Sequence, residues 1–387
     1  MSAPELVYDR DGVAVWFGDN RDVLAGMPAG SVDAVVTDPP YGAEFMVDDE
    51  WAALAAPVQA STAARTGRDH LGTGAAIRES STLPGFTTGA PPIYGGDRPR
   101  TNRCVSCGKR HQFRNAHGCA GGWLSEPISD DGPPPGAEAL QTWARSWARA
   151  CWRVLKPGGY LVAFGAPRTY HRVAAGIEDA GFDVRDSLHW IQSQGFPKGA
   201  GLSAAGDQWA GWHTHLKPAH EPIVLARRPP LGSTVANVER EGVGGLNVEG
   251  CRVPAGAAGE TATDSSPGRW PPNVLLGAEA AAELAGAVGE GAAAFPVFRY
   301  EPKARGDERP VVGGVAHPTV KPLGLMQWLV RLVAPAGAVV LDPCAGTGTT
   351  GRAAMVEGRR AVLIERDQRY VPLIEARLAA PLQVGLW

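Results

Sequence analysis

The run Val-Asp-Ala-Val-Val-Thr-Asp-Pro-Pro-Tyr-Gly at residues 32–42 is a strand that ends abruptly. Its apolar, β-branched stretch at 34–37 suits a sheet interior. Pro39 and Pro40 then remove the N–H groups that a ladder needs to continue. The strand's carboxyl end therefore presents the carboxylate of Asp38, the carbonyl of Pro39 and the ring of Tyr41 together. Open α/β sheets place ligands at that end of their strands. The cluster suits a planar base bearing an exocyclic amine, with Asp38 and the Pro39 carbonyl accepting the two amine hydrogens and Tyr41 stacking on the ring. Taken alone, the tetrapeptide is equally well a turn after a strand, because Pro-Pro and Gly are turn residues.

The rest of the chain supplies the context. Its 387 residues suffice for one large domain with insertions or for two domains. A net charge of −3 argues against a wholly basic nucleic-acid binder but leaves room for a local basic surface. No apolar run approaches the roughly 20 residues of a membrane span, and the N-terminus carries no secretory pattern. Six cysteines in a chain this long do not form a disulfide framework. The expectation is a cytoplasmic protein with no membrane partner.

Hydrophobic periodicity predicts strands at 13–17 and 33–37 with a short helical turn at 21–24 between them. A helix follows at 138–155, with Leu140, Ala144, Trp147, Cys151 and Val154 on one face. Lys156-Pro157-Gly158-Gly159 is expected to terminate it. Further strands are predicted at 160–164, 182–191 (one or two) and 221–226, with a helix at 170–180. The last quarter reads as helix 323–333, strand 338–341, helix 349–357, strand 360–364 and helix 371–378. Such strand–helix–strand units imply an α/β fold with a parallel, doubly wound sheet. Residues 44–136 and 227–296 show no sustained periodicity and are read as two irregular insertions.

A second chemical signal lies at residues 339–350, Val-Val-Leu-Asp-Pro-Cys-Ala-Gly-Thr-Gly-Thr-Thr. This is a strand, a glycine loop and a helix start with free N–H groups. Alone it is a tight strand-to-helix turn. Asp342 at the strand end adds weight, as does Glu365 closing the next strand about 20 residues on, where Rossmann-type sites place an acid on ribose hydroxyls. The third glycine of a nicotinamide fingerprint is misplaced, and no ATPase-type phosphate loop is present.

With Asp38-Pro39-Pro40-Tyr41 early, the glycine loop late, and His317-Pro318-Thr319-Val320-Lys321-Pro322 just before it, the chain resembles amino-group DNA methyltransferases. The motif order resembles the permuted β group of adenine-N6 and cytosine-N4 enzymes. The resemblance covers about residues 12–42, 138–226 and 317–380. It implies a Rossmann-like, circularly permuted fold that uses S-adenosyl-L-methionine. Asp342, Ala345, Gly346, Gly348 and Thr349 are then expected around the cofactor, with Glu365 on its ribose and Asp19 by its adenine. Thr319 and Lys321 are expected to close over its methionine carboxylate. Cys344 stands where the family more commonly has Phe. Asp38, Pro39, Pro40 and Tyr41 become the catalytic loop acting on a base flipped out of double-stranded DNA. Asp in the first position leans toward adenine-N6 within the family, and cytosine-N4 is the alternative. A non-catalytic DNA-binding protein is the remote one. The resemblance also implies a bacterial or phage origin, a homodimer and a cognate restriction endonuclease as partners to consider. On this basis the chain divides into catalytic segments 1–43 and 137–226, an insertion at 44–136, a target-recognition region at 227–300 and a cofactor half at 301–387.

Within the first insertion, Cys104-Val-Ser-Cys107-Gly is a zinc-knuckle turn that His117 and Cys119 can complete. The alternatives are a structural zinc site and a reduced, metal-free loop. Arg98, Arg100, Arg103, Lys109, Arg110 and Arg114 around it form either a solvated face or a phosphate-contacting patch.

Overall fold

The computed structural model describes residues 3–41, 101–104, 110–111, 123–126, 135–192, 199–253, 268–288, 297–298, 309–317 and 319–381. The chain divides into two compact units, one of Met1–Phe45 with Pro135–Trp387 and the other Met46–Pro134. In chain order the larger unit begins with strands β1 (Glu5–Arg10) and β2 (Val13–Phe17), helix α1 (Asn20–Gly26) and strand β3 (Val32–Thr37). The smaller unit contributes β4 (Thr101–Cys104), β5 (Arg110–His111) and β6 (Trp123–Glu126), an antiparallel sheet in the order β5-β4-β6. The larger unit resumes with α2 (Pro135–Val154), β7 (Leu155–Phe164), α3 (Tyr170–Asp179), β8 (Asp183–Ile191) and β9 (His220–Arg227). Then come α4 (Thr234–Glu241), β10 (Val274–Gly277), α5 (Ala278–Val288), β11 (Val297–Phe298) and the short pair β12 (Val311–Val312) and β13 (Val315–Ala316). The chain closes with α6 (Leu323–Val333), β14 (Val339–Asp342), α7 (Thr349–Val356), β15 (Arg360–Glu365) and α8 (Val371–Ala379). Among the described residues no helix is long and apolar enough to cross a membrane.

Ten strands form the main sheet, in the order β1-β2-β15-β14-β3-β7-β9-β8-β10-β11. Alternate residues of its central strands serve opposite faces. Ala34, Val36, Val162, Phe164, Ile223, Leu225, Val340 and Leu363 pack with α6, α7 and α8. Val35, Leu161, Ala163, Val224, Ala226, Leu341 and Ile364 pack with α1, α2 and α3. Both faces are covered, which is why these strands are continuously apolar rather than alternating. From β3 the chain winds through α2 to β7 on one side. From β14 it winds through α7 to β15 on the other. The boundary between β14 and β3 is thus a topological switch point, the crevice where such sheets bind ligands.

Three sequence expectations need correction. The sheet is mixed, not parallel throughout: β9 runs antiparallel to both β7 and β8, and β1 antiparallel to β2. Helix α2 ends at Val154 ahead of residues 156–159 as expected, but β7 starts at Leu155 and not at 160, because Gly158 N–H bonds the carbonyl of Arg228 and Arg228 N–H bonds that of Gly159. Residues 227–296 are not irregular throughout. They supply α4, β10 and α5, and β10 pairs in parallel with β8 at Val274↔His189 through Leu276↔Ile191. A strand of only four residues leaves too short a pattern to read locally.

The α2 face read from the sequence is buried as a block: Leu140, Ala144, Trp147, Cys151 and Val154 are all 1% exposed or less. Helix α3 crosses it closely at Gly176. A Cβ added there would lie 2.6 Å from the Gln141 carbonyl oxygen and 2.7 Å from the Ala144 Cβ. Gly176→Ala is therefore expected to cost about 1–3 kcal/mol through overpacking. Urea unfolding should show a lower midpoint at unchanged slope. An unchanged midpoint would refute the close crossing.

Candidate active site

Two loops meet at the switch point. Strand β3 delivers Asp38 and Tyr41, and β14 delivers Asp342 and the glycine loop. Thr37, the last residue of β3, donates its hydroxyl hydrogen to Asp342 Oδ1 at 2.7 Å across a sequence separation of 305. The same oxygen accepts the Cys344 N–H at 3.0 Å, and Asp342 Oδ2 accepts the Thr350 hydroxyl at 2.5 Å. Asp342 is 2% exposed. Burial raises its carboxyl to about 6, against the pull of these donors. Its oxygens are engaged in bracing β3, the loop and the start of α7, so it shapes the pocket through those groups.

On the β3 side five polar side chains converge. Lys321 Nζ donates to Asp38 Oδ2 at 2.6 Å and to the Tyr41 hydroxyl at 2.9 Å, and lies 3.2 Å from Glu221 Oε2. The Tyr41 hydroxyl donates to Glu221 Oε2 at 2.7 Å, and Gln192 Nε2 donates to Glu221 Oε1 at 2.8 Å. The ammonium also lies 5.1 Å from the Tyr41 ring centroid and 4.8 Å from that of Phe164. Burial alone would lower Lys321, but Asp38 and Glu221 outweigh it and raise its pKa. Burial works to raise Glu221, yet Lys321, Tyr41 and Gln192 bring it below the ordinary value. Burial, then the charges of Asp38 and Glu221, push the Tyr41 hydroxyl well above its usual pKa, so it stays protonated. Asp38 Oδ1 is buried and has no hydrogen-bond partner among the described residues. One oxygen of this carboxylate is locked and the other is an unused acceptor. Pro39 and Pro40 carry the chain from Asp38 to Tyr41, whose carbonyl accepts the Thr169 hydroxyl at 2.7 Å.

On the β14 side Gly346 and Gly348 have φ values of +53° and +75°, where a side chain is strained. A Cβ on Gly348 would also come within 2.8 Å of Ile374. Glu365, at the end of β15, accepts the Gly346 N–H at 2.8 Å on one oxygen and the Asp367 N–H at 2.8 Å on the other. Burial lifts its carboxyl to about 7. Asp19 caps α1 beside it, accepting from the Arg21 backbone and guanidinium, and the neighbouring Gly18 N–H bonds the Glu365 carbonyl at 2.9 Å. Ala345 N–H bonds the Ile364 carbonyl, and Thr349 is buried with its hydroxyl 3.3 Å from that of Thr347.

His317 and Lys321 link the two halves. The His317 ring packs edge-on to Tyr370 at 4.5 Å between centroids, and Thr319 N–H donates to its Nδ1 at 3.2 Å. It lies so close to the glycine loop that a Cβ on Gly346 would meet it at 3.4 Å. Lys321, expected at the cofactor's methionine carboxylate, lies against Asp38. Glu221 and Gln192 were not singled out as site residues. The available signal was a lone acid opening the apolar strand β9. Of the zinc candidates, Cys104 ends β4 with only its backbone described, and Cys107, His117 and Cys119 lie outside the described residues.

The family model described as DNA methylase matches residues 32–376, and the chain belongs to that family. It is 28% identical over 242 residues to the type II methyltransferase M.HindIII of Haemophilus influenzae, covering 59% of this chain and 66% of that protein. It is 44% identical over 66 residues to the type II methyltransferase M.HinfI of the same species, covering 17% of this chain and 18% of that protein. The matched stretches thus span less than two thirds of either relative. Among solved structures, the PvuII DNA methyltransferase (cytosine-N4-specific) superposes with a TM-score of 0.50 at 13% identity, covering 97% of this chain and 91% of that one. That likeness is one of fold: a Rossmann-like methyltransferase scaffold.

Removing the buried Lys321 cation leaves two carboxylates facing each other. Lys321→Met is expected to cost about 3–5 kcal/mol, and adding Glu221→Gln should recover part of it. A single-variant loss below about 1 kcal/mol in urea unfolding would contradict the ion-pair geometry.

Glu365 generates a pH dependence. Its folded value of about 7 exceeds its ordinary value of 4.5. Both states are protonated at low pH, and between the two values the unfolded state sheds its proton first. Stability should therefore fall as pH rises from about 4 to 7, by on the order of 2–3 kcal/mol from this group. Glu365→Gln should flatten that slope in unfolding midpoints measured across the range; an unaltered slope would contradict the assignment.

Proposed function

We propose that the chain is an S-adenosyl-L-methionine-dependent DNA methyltransferase acting on the exocyclic N6 amine of an adenine turned out of duplex DNA. The observation that carries this reading is the asymmetry of Asp38. Its Oδ2 is pinned by Lys321, and its buried Oδ1 is an unpartnered acceptor at the switch-point crevice. An amine is the complementary donor, since a buried acceptor left unpaired costs free energy.

The β14 half suits the cofactor. Each Glu365 oxygen accepts one backbone N–H and keeps a further lone pair for a ribose hydroxyl. Gly346 and Gly348 admit close approach to their backbone, and Asp19 stands beside Glu365 as a candidate for the adenine end. When bound, S-adenosyl-L-methionine supplies an electrophilic methyl group on a positively charged sulfonium.

The chain's own residues prepare the acceptor. An exocyclic amine is a poor nucleophile because its lone pair is delocalised into the ring. Asp38 Oδ1 and the Pro39 carbonyl each accept one amine hydrogen, which favours pyramidal nitrogen and localises the lone pair. Asp38, held by Lys321, is preorganised toward positive charge developing on that nitrogen, the converse of an oxyanion hole. Tyr41, held by Glu221, Lys321 and Thr169, offers a fixed ring on which the extruded base stacks in place of its lost neighbours. The preference for adenine over cytosine-N4 rests on Asp at the first position of the loop.

Modification-sensitive sequencing of DNA from cells expressing the protein should reveal N6-methyladenine in one sequence context. N4-methylcytosine in its place would move the assignment to the other base, and unmodified DNA would sink it. Asp38→Ala should reduce methyl transfer at least a thousandfold while calorimetric binding of S-adenosyl-L-methionine stays within about threefold, as expected for a group that acts mainly in the transition state.

A further inference from the structure

Residues 199–219 connect toward β9 and form a small, self-braced projection. Leu202 N–H bonds the Trp212 carbonyl at 2.9 Å, Thr214 N–H bonds the Ala200 carbonyl at 3.1 Å, and Gly201 bridges His213. The projection is ordered by its backbone and buries almost none of its side chains. Trp212 is 59% exposed, Trp209 38% and Leu216 92%. The two indoles meet edge-on with centroids 5.3 Å apart, and Trp212 with His213, His215, Leu216 and Lys217 lines part of an open recess of about 680 Å³. A hydrogen-bonded backbone that holds indoles toward solvent suits a recognition surface, since exposed aromatic clusters mark binding sites.

Its position identifies the occupant. Ala219 accepts the Gln192 N–H at 2.8 Å, and the next residues are His220 and the site acid Glu221, which Gln192 also holds through its side chain. The projection therefore rises from the same strand ends that frame Asp38. Indole faces stack on nucleobases, the Lys217 ammonium complements a phosphate backbone, and the His213 and His215 rings add N–H donors.

We propose that the 199–217 projection is a DNA-contacting element that stacks Trp212 against a base next to the extruded nucleotide and sets Lys217 toward the backbone. This rests on DNA being the substrate. Fluorescence anisotropy with a labelled 30-base-pair duplex of randomised sequence tests it. Trp212→Ala should weaken duplex binding by roughly 5- to 150-fold, the range for losing one base–aromatic stack. Trp212→Phe should recover most of the affinity, and calorimetric binding of S-adenosyl-L-methionine should be unchanged. Trp212→Ala with unchanged duplex affinity overturns the proposal. If the wild-type protein sediments as a dimer and Trp212→Ala as a monomer of unchanged duplex affinity, the patch is a contact between copies of this chain and the proposal falls. If wild-type protein binds the duplex through Trp212 yet methylates no DNA, the projection stands and the methyltransferase reading falls.

Discussion

The site depends on one lateral contact, the parallel pairing of β3 with β14, pinned at its carboxyl end by the Thr37 hydroxyl on Asp342. Chain direction reverses its winding sense at that boundary, so no crossover helix covers the crevice above it. Two loops from opposite ends of the sequence are thereby brought side by side. The cost is a carboxylate buried to 2% exposure, offset by two hydroxyl donors and a backbone N–H. Sheet neighbours, not chain order, determine the geometry, so a permuted order of motifs builds the same pocket.

The electrostatics on the two sides of the crevice differ. On the β14 side Asp342 and Glu365 are held by neutral donors, and burial drives both upward. On the β3 side a buried cation compensates the acids, so Lys321 is raised and Glu221 lowered. A desolvated ion pair is retained at such a cost more readily for geometry than for stability. Here it orients Asp38 with one oxygen engaged and one presented, and it fixes the Tyr41 ring through its hydroxyl. His317 lies against the glycine loop and Lys321 against the Asp38 carboxylate that faces it.

Local signals carried far where they were strong. The α2 face from Leu140 to Val154, the helix Leu323–Val333 and the strand Val13–Phe17 were legible because each repeats an apolar period within its own length. Asp38-Pro39-Pro40-Tyr41 and the glycine loop were legible because proline and glycine impose backbone conformations whatever surrounds them. The region after β9 carries no sustained period, yet its β10 extends the sheet through pairing with β8, a long-range contact no four-residue run announces.

The sequence by itself determined the two strand ends and the side chains they carry, each written in contiguous residues, and membership of the DNA methylase family. Only the tertiary structure decided what each carboxylate faces. Lys321 is 283 residues from Asp38 and meets it because β3 and β14 are neighbours, while Glu221 joins them from β9, which runs antiparallel to β7. Partner choice at that distance is set by sheet order and by the free energy of burying charge, and neither quantity resides in any local stretch of chain.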